Sequence, residues 1–198
     1  MSTPRSPVPI EQGHGGERLP LPPTDRMDAA QRAAAQALID GPRKAVYGPF
    51  VPLMRVPALL ERTAQLGESL RFGGQLPVAV RELVTALVAQ RVGNQFEWVM
   101  HVPLAQAAGI PAAALEAIRL GHAPTGLPDD AETAYAFCAE LMATHGVGDA
   151  LYQRACAAFG EAGVVELSTL IGYFTTVSWL MNVARTPSRP TAEVLPLP

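Results

Sequence analysis

Eighteen consecutive residues, LSTLIGYFTTVSWLMNVA from Leu167 to Ala184, carry no charged side chain. A helix that is apolar all round is buried in protein or in lipid, so this stretch poses a choice between a membrane span and a central core helix. Ser168, Thr169, Thr175, Thr176, Ser178 and Asn182 lower its hydrophobicity, Glu166 stands at its mouth, and no second span accompanies it. The expectation is a central core helix and no membrane partner.

The pattern before it is helical almost throughout. Residues 25–40 open on an aspartate cap signal and stop at Gly41-Pro42. The proline-punctuated connector 47–57 leads to a helix from Pro57 to about Phe72, ended by Gly73-Gly74. Pro77 opens a helix with apolar residues at 80, 83, 84, 87 and 88 on one face, stopping at Gly93. Further helices are expected over about 95–108 (interrupted by Pro103), 111–121, 128–145, 149–159 and 162–184. No segment alternates convincingly as a strand, so the fold class is all-α. RELVTALVAQ (81–90) and VELSTLIGYF (165–174) share Glu-Leu-x-Thr at the same offset, a weak sign of an internal repeat.

With 198 residues, one domain is expected, and 48% hydrophobic content suits a compact helical core. Residues 1–26, rich in Pro and Gly, read as a flexible or wrapping arm; 27–188 form the helical domain and 189–198 a C-terminal tail. A formal charge of -3 and a single lysine, Lys44, give no reason to expect nucleic acid as a partner. The N-terminus lacks the apolar core of a secretory signal. Cys138 and Cys156 form no CxxC or ligand pattern, which favours a reducing, cytoplasmic setting and two ordinary small core residues. His14, His122 and His145 lie in or beside predicted loops and have no ligand spacing, so no metal is expected.

The chemistry concentrates in GNQFEWVMH (93–101). Glu97 and His101 are spaced i, i+4 and share a helix face, one turn beyond Asn94. One reading is purely structural: Asn94 caps the helix, Glu97 reaches back to the Asn94 backbone N–H as a capping box, and His101 is a satisfied core histidine. The other is catalytic, because a buried carboxylate beside a buried imidazole perturbs both acidities and makes an acid–base pair.

Glu82, eleven residues, Asn94, two residues, Glu97, three residues, His101 resembles the motif of the alkyl hydroperoxidase D and carboxymuconolactone decarboxylase family, whose peroxidase branch reads E-x11-C-x2-C-x3-H. The Glu-Trp before the histidine is similar to the branch lacking the cysteines, and the likeness extends from YGPFVPLMRVPAL (47–59) to GYFTTVSWLMNV (172–183). The resemblance implies an alkyl hydroperoxidase D-like helical bundle, assembled as a trimer or hexamer. It implies a cofactor-independent lyase or isomerase acting on a small carboxylated or lactone substrate. Decarboxylation of this kind leaves a carbanion or dienolate that must be stabilised and protonated. On that reading His101 is the acid/base, Glu97 orients it, Glu82 supports it, and Asn94 donates to a developing oxyanion.

Trp98, Tyr173 and Arg55 are further candidates for substrate binding, each with a plainer role in packing or surface pairing. Two rivals stand beside the lyase. A thiol peroxidase needs a thiolate and a resolving partner, which neither Asn94 nor Glu97 supplies. A non-catalytic helical module that binds a small molecule would use the same residues for stability alone.

Overall fold

The computed structural model describes residues 16–189, 191 and 195; His14, most of the arm's first residues and most of the tail lie outside them. Among the described residues there is no strand. The helices are α1 (Ala29–Asp40), α2 (Phe50–Leu53), α3 (Pro57–Glu68), α4 (Val78–Arg91), α5 (Gln95–Ala107), α6 (Ala112–Arg119), α7 (Asp129–Thr144) and α8 (Asp149–Ala184). A 3₁₀ turn at Thr24–Arg26 precedes α1, and a π-turn at Ser69–Gly73 follows α3.

Local chemistry sets most boundaries. α1 begins later than the first aspartate suggested, because Asp28 and Gln31 form a reciprocal capping box. Pro57 occupies the first turn of α3, where its missing N–H costs nothing. Asp129, Asp130 and Glu132 place negative charge in the first turn of α7, where the helix dipole favours it. Within α8, Gly160 has φ 69 and ψ 171, so the helix is broken there into 149–159 and 161–184, as the sequence pattern anticipates.

Two apolar clusters make the interior. The larger joins α4, α5, α7 and α8 through Leu83, Leu87, Trp98, Phe137, Leu167 and Phe174. The smaller gathers Leu38, Phe50 and Leu60 from the first three helices, with Met27 and Met54 from the turns beside them, against Leu180 of α8. α4 is buried nearly all round, with every residue from Glu82 to Ala89 inside, a wider burial than the single face read from its sequence.

The apolar helix itself corrects an expectation. Only one face of α8 is buried, through residues such as Leu167, Ile171, Phe174, Ser178 and Met181. The opposite face is open: Val165 is 67% exposed, Trp179 59% and Val183 60%, with Thr169, Gly172 and Thr176 between them. The chain supplies packing partners on one side only. By length and composition α8 could cross a membrane, yet half of its most apolar window is buried within the protein.

The described part of the arm wraps the bundle. Arg18 N–H donates to the Ala184 carbonyl at 2.8 Å, and the Arg55 guanidinium donates to the carbonyls of Leu19 and Pro20. At the other end Leu195 is buried, its N–H donating to Gln95 at 2.8 Å.

Candidate active site

α5 starts where Asn94, directly after Gly93 (φ 63), turns the chain into a new helix. Asn94 accepts the Glu97 N–H on its side-chain Oδ1 at 2.8 Å. Its amide donates to the Ser178 carbonyl at 3.1 Å and to Asn182 Oδ1 at 2.7 Å, and Asn182 donates to the Val92 carbonyl. Asn94 therefore fastens the start of α5 to α8, and both its N–H donors are already engaged. It faces a separate cleft of about 230 Å³ beside Asn182 and Phe96, and the oxyanion role proposed from sequence does not fit this geometry.

The capping box is only half formed. Instead of reaching back to Asn94, the Glu97 carboxylate turns to His101, with Oε2 3.0 Å from Nε2. On the other side of the ring, Nδ1 lies 2.5 Å from Oε2 of Glu82 on α4. All three residues are buried. With both carboxylates ionised, each ring nitrogen must carry a proton to donate, so the imidazole is held as a cation between two anions.

The acidities follow from that arrangement. Burial acts to lower the His101 pKa, but its hydrogen bonds to Glu82 and Glu97, reinforced by their charges, raise it to about 9. Burial pushes the Glu82 carboxyl upward, while the bond to His101 and the charges of His101, Arg71 and Arg81 hold it below the usual carboxylate value. The Phe174 ring meets His101 edge-on at 5.1 Å and fixes the plane of the imidazole.

Glu97 and His101 open onto a cleft of about 40 Å³, where the two apolar clusters meet. That is space for about one or two water molecules, or for the reacting end of a small substrate. Glu82 lies behind His101 and does not line it. Tyr173 does; Trp98 is 2% exposed within the core, and Arg55 is occupied with the arm, so neither reaches the cleft. Arg43 and Arg71 line the cleft as well, and sequence reasoning missed both. Among fifteen Lys and Arg residues nothing local marks these two; the short punctuated segments around Gly41-Pro42 and Gly73-Gly74 are the only hint that they stand at element ends.

Neither cysteine is near. Cys138 is enclosed on α7, where burial pushes its thiol up to about 12, and Cys156 packs against the main core from the first part of α8. Among the described residues no group of His, Cys, Asp and Glu is arranged to hold a metal ion.

Residues 57–140, which contain Glu82, Asn94, Glu97 and His101, match the family model described as carboxymuconolactone decarboxylase family. This stretch belongs to that family. No curated protein matches the chain. Solved structures share its fold. One is an alkylhydroperoxidase AhpD core, an uncharacterized peroxidase-related protein from Ralstonia eutropha JMP134, at 16% identity and TM-score 0.71, covering 91% of this chain and 95% of that one. Another is an uncharacterized peroxidase-related protein from Silicibacter sp. TM1040, at 14% identity and TM-score 0.66, covering 89% and 93%. A third is the debrominase Bmp8 in complex with 2,3,4-tribromopyrrole, at 12% identity and TM-score 0.63, covering 91% and 94%. At these identities the likeness shows the fold, which hosts more than one chemistry.

Proposed function

We propose that this member of the carboxymuconolactone decarboxylase family is a cofactor-independent acid–base enzyme, a lyase or isomerase acting on a small carboxylated or lactone substrate. One observation carries the reading: a buried imidazolium is gripped at both nitrogens by carboxylates, and only the Glu97 side of the relay opens to the cleft. The division of labour then differs from the one suggested by spacing alone. Glu82 is the buried counterion, His101 the proton store, and Glu97 the group that meets substrate.

In a decarboxylation the C–CO2 bond breaks and its electron pair enters the conjugated system as a dienolate. Glu97, protonated from His101 Nε2, delivers that proton to carbon; carbon dioxide leaves, and solvent returns one proton to the relay through the cleft. General acid–base groups of this kind contribute about 10²–10⁴-fold in rate. A thiol route has little support, because Cys138 is held as the thiol by burial and neither cysteine lines the cleft.

The test is release of carbon dioxide from carboxymuconolactone, with product formed in deuterated water examined for carbon-bound deuterium. Glu97→Gln and His101→Gln should each lower turnover about 100-fold or more, whereas Cys138→Ser with Cys156→Ser should leave it unchanged. Turnover that survives Glu97→Gln within a few fold would overturn the assignment, as would its loss in the cysteine double variant. We further propose that the open face of α8 packs against other copies of the chain.

A further inference from the structure

The cleft that receives Glu97 and His101 also carries two guanidinium groups that the relay does not use. Arg43 is 9% exposed, and its Nη2 donates to the Ala64 carbonyl at 3.3 Å. Its planar head stacks over the Phe50 ring at 4.4 Å, and the Tyr173 hydroxyl lies beside it at the cleft. Nε has no hydrogen-bond partner: Glu68, at 3.7 Å and at the solvent edge, is near enough for attraction but too far for a bond. Arg71 sits in the π-turn, half-buried, with its guanidinium 5.4 Å from the Phe72 ring and no ion pair within 4.0 Å among the described residues.

A buried cationic donor left unpaired is costly unless a ligand completes it. His101 is already bracketed by Glu82 and Glu97, so the cations at the cleft without a hydrogen-bonded carboxylate are the guanidiniums of Arg43 and Arg71, with Glu68 3.7 Å from Arg43. The remaining walls are largely apolar, with Phe50, Phe96 and Phe174 among them. Gly67 makes the convergence possible, because a Cβ there would collide with the Tyr173 hydroxyl and crowd Arg43 Nη2.

We infer that Arg71 and Arg43, with the Tyr173 hydroxyl, form an anion receptor at the cleft, and that it takes the carboxylate of a short unsaturated organic acid. The guanidiniums match a carboxylate in shape and charge, and the aromatic walls accept the carbon skeleton beside it. Arg71 is the specificity-determining member, since Arg43 is partly committed to Glu68 and the Ala64 carbonyl. This inference rests on the acid–base reading only for what happens after binding.

Crotonate, with crotonamide as its neutral counterpart, probes the receptor directly by calorimetry on the full chain. Wild type should bind crotonate and not crotonamide. Arg71→Gln should weaken crotonate binding about tenfold or more, while Arg55→Gln should leave it unchanged. A Glu97→Gln variant, which loses turnover but removes a negative charge from the cleft, should bind crotonate at least as well, which separates the receptor from the relay. Failure of wild type to bind crotonate at millimolar concentration, equal binding of the amide, or full binding by folded Arg71→Gln would each overturn the receptor without touching the acid–base proposal.

Discussion

α4 and α8 enter the bundle with the same four-residue signature, and it ends in two different environments. Leu83 and Leu167 are both fully buried, anchoring each helix identically. Each threonine bonds back to the carbonyl four residues earlier, Thr85 to Arg81 and Thr169 to Val165, but Thr85 is buried and Thr169 open to solvent. Glu82 faces the imidazole of another helix at 2.5 Å. Glu166 accepts two backbone N–H groups ahead of α4, from Gln75 at 2.9 Å and Leu76 at 3.3 Å. One carboxylate thus joins a titrating network and the other fixes a turn. A local signature dictates the helix and its anchor; what lies opposite decides whether a carboxylate is chemistry or architecture.

The comparison breaks most severely at Glu82. Glu82→Ala removes one partner of a buried charge pair and should destabilise the fold by about 3–5 kcal/mol in denaturant titrations. The pH dependence gives its sign. His101 is raised from 6.5 to about 9, so its contribution is complete below 6.5 and disappears as pH climbs through 9. Glu82 is lowered from 4.5, so its contribution is present above that value and is lost in acid. Wild-type melting temperature should therefore peak between about 4.5 and 6.5 and fall toward 9, while His101→Gln should flatten the alkaline limb. An unchanged alkaline limb in that variant would place the titration elsewhere.

The outer face of α8 gives a contrast of middle size. Trp179→Glu with Val183→Glu should turn an assembled form into a monomer by light scattering, without unfolding the subunit; identical masses would show that this face is not a subunit contact. The smallest effect is expected at the second signature. Glu166→Gln keeps one acceptor oxygen and loses a charge-assisted bond, for about 1 kcal/mol of stability, with turnover unaltered. A loss of turnover equal to that of Glu97→Gln would erase the distinction between the two carboxylates.

Much of this was legible before the fold. Helical periodicity and Gly/Pro stops located nearly every element, and the Gly160 break separated 149–159 from 161–184. Glu82, Glu97 and His101 were named together through motif spacing, and they do meet. Their order did not follow from spacing, because i, i+4 proximity fixes Glu97 against His101 but says nothing of which carboxylate faces open space. Asn94 illustrates the same limit: its amide is engaged by Ser178 and Asn182, more than eighty residues away. The one-sided burial of α8 was equally hidden, since composition reports how apolar a helix is and not how many neighbours the chain can place around it.

The π-turn beneath Arg71 has one further consequence. A π-turn behaves as a helix carrying one surplus residue, and each residue of a regular helix advances the side chain about 100° around the axis. Deleting the exposed Ser69 would shift Arg71 by one position and swing that guanidinium away from the cleft, while leaving Glu82, His101 and Glu97 on their own helices. Ligand preference is thereby set by a piece of chain outside the helices of the relay, tied to the proton chemistry only through the charge that Arg71 lends to Glu82.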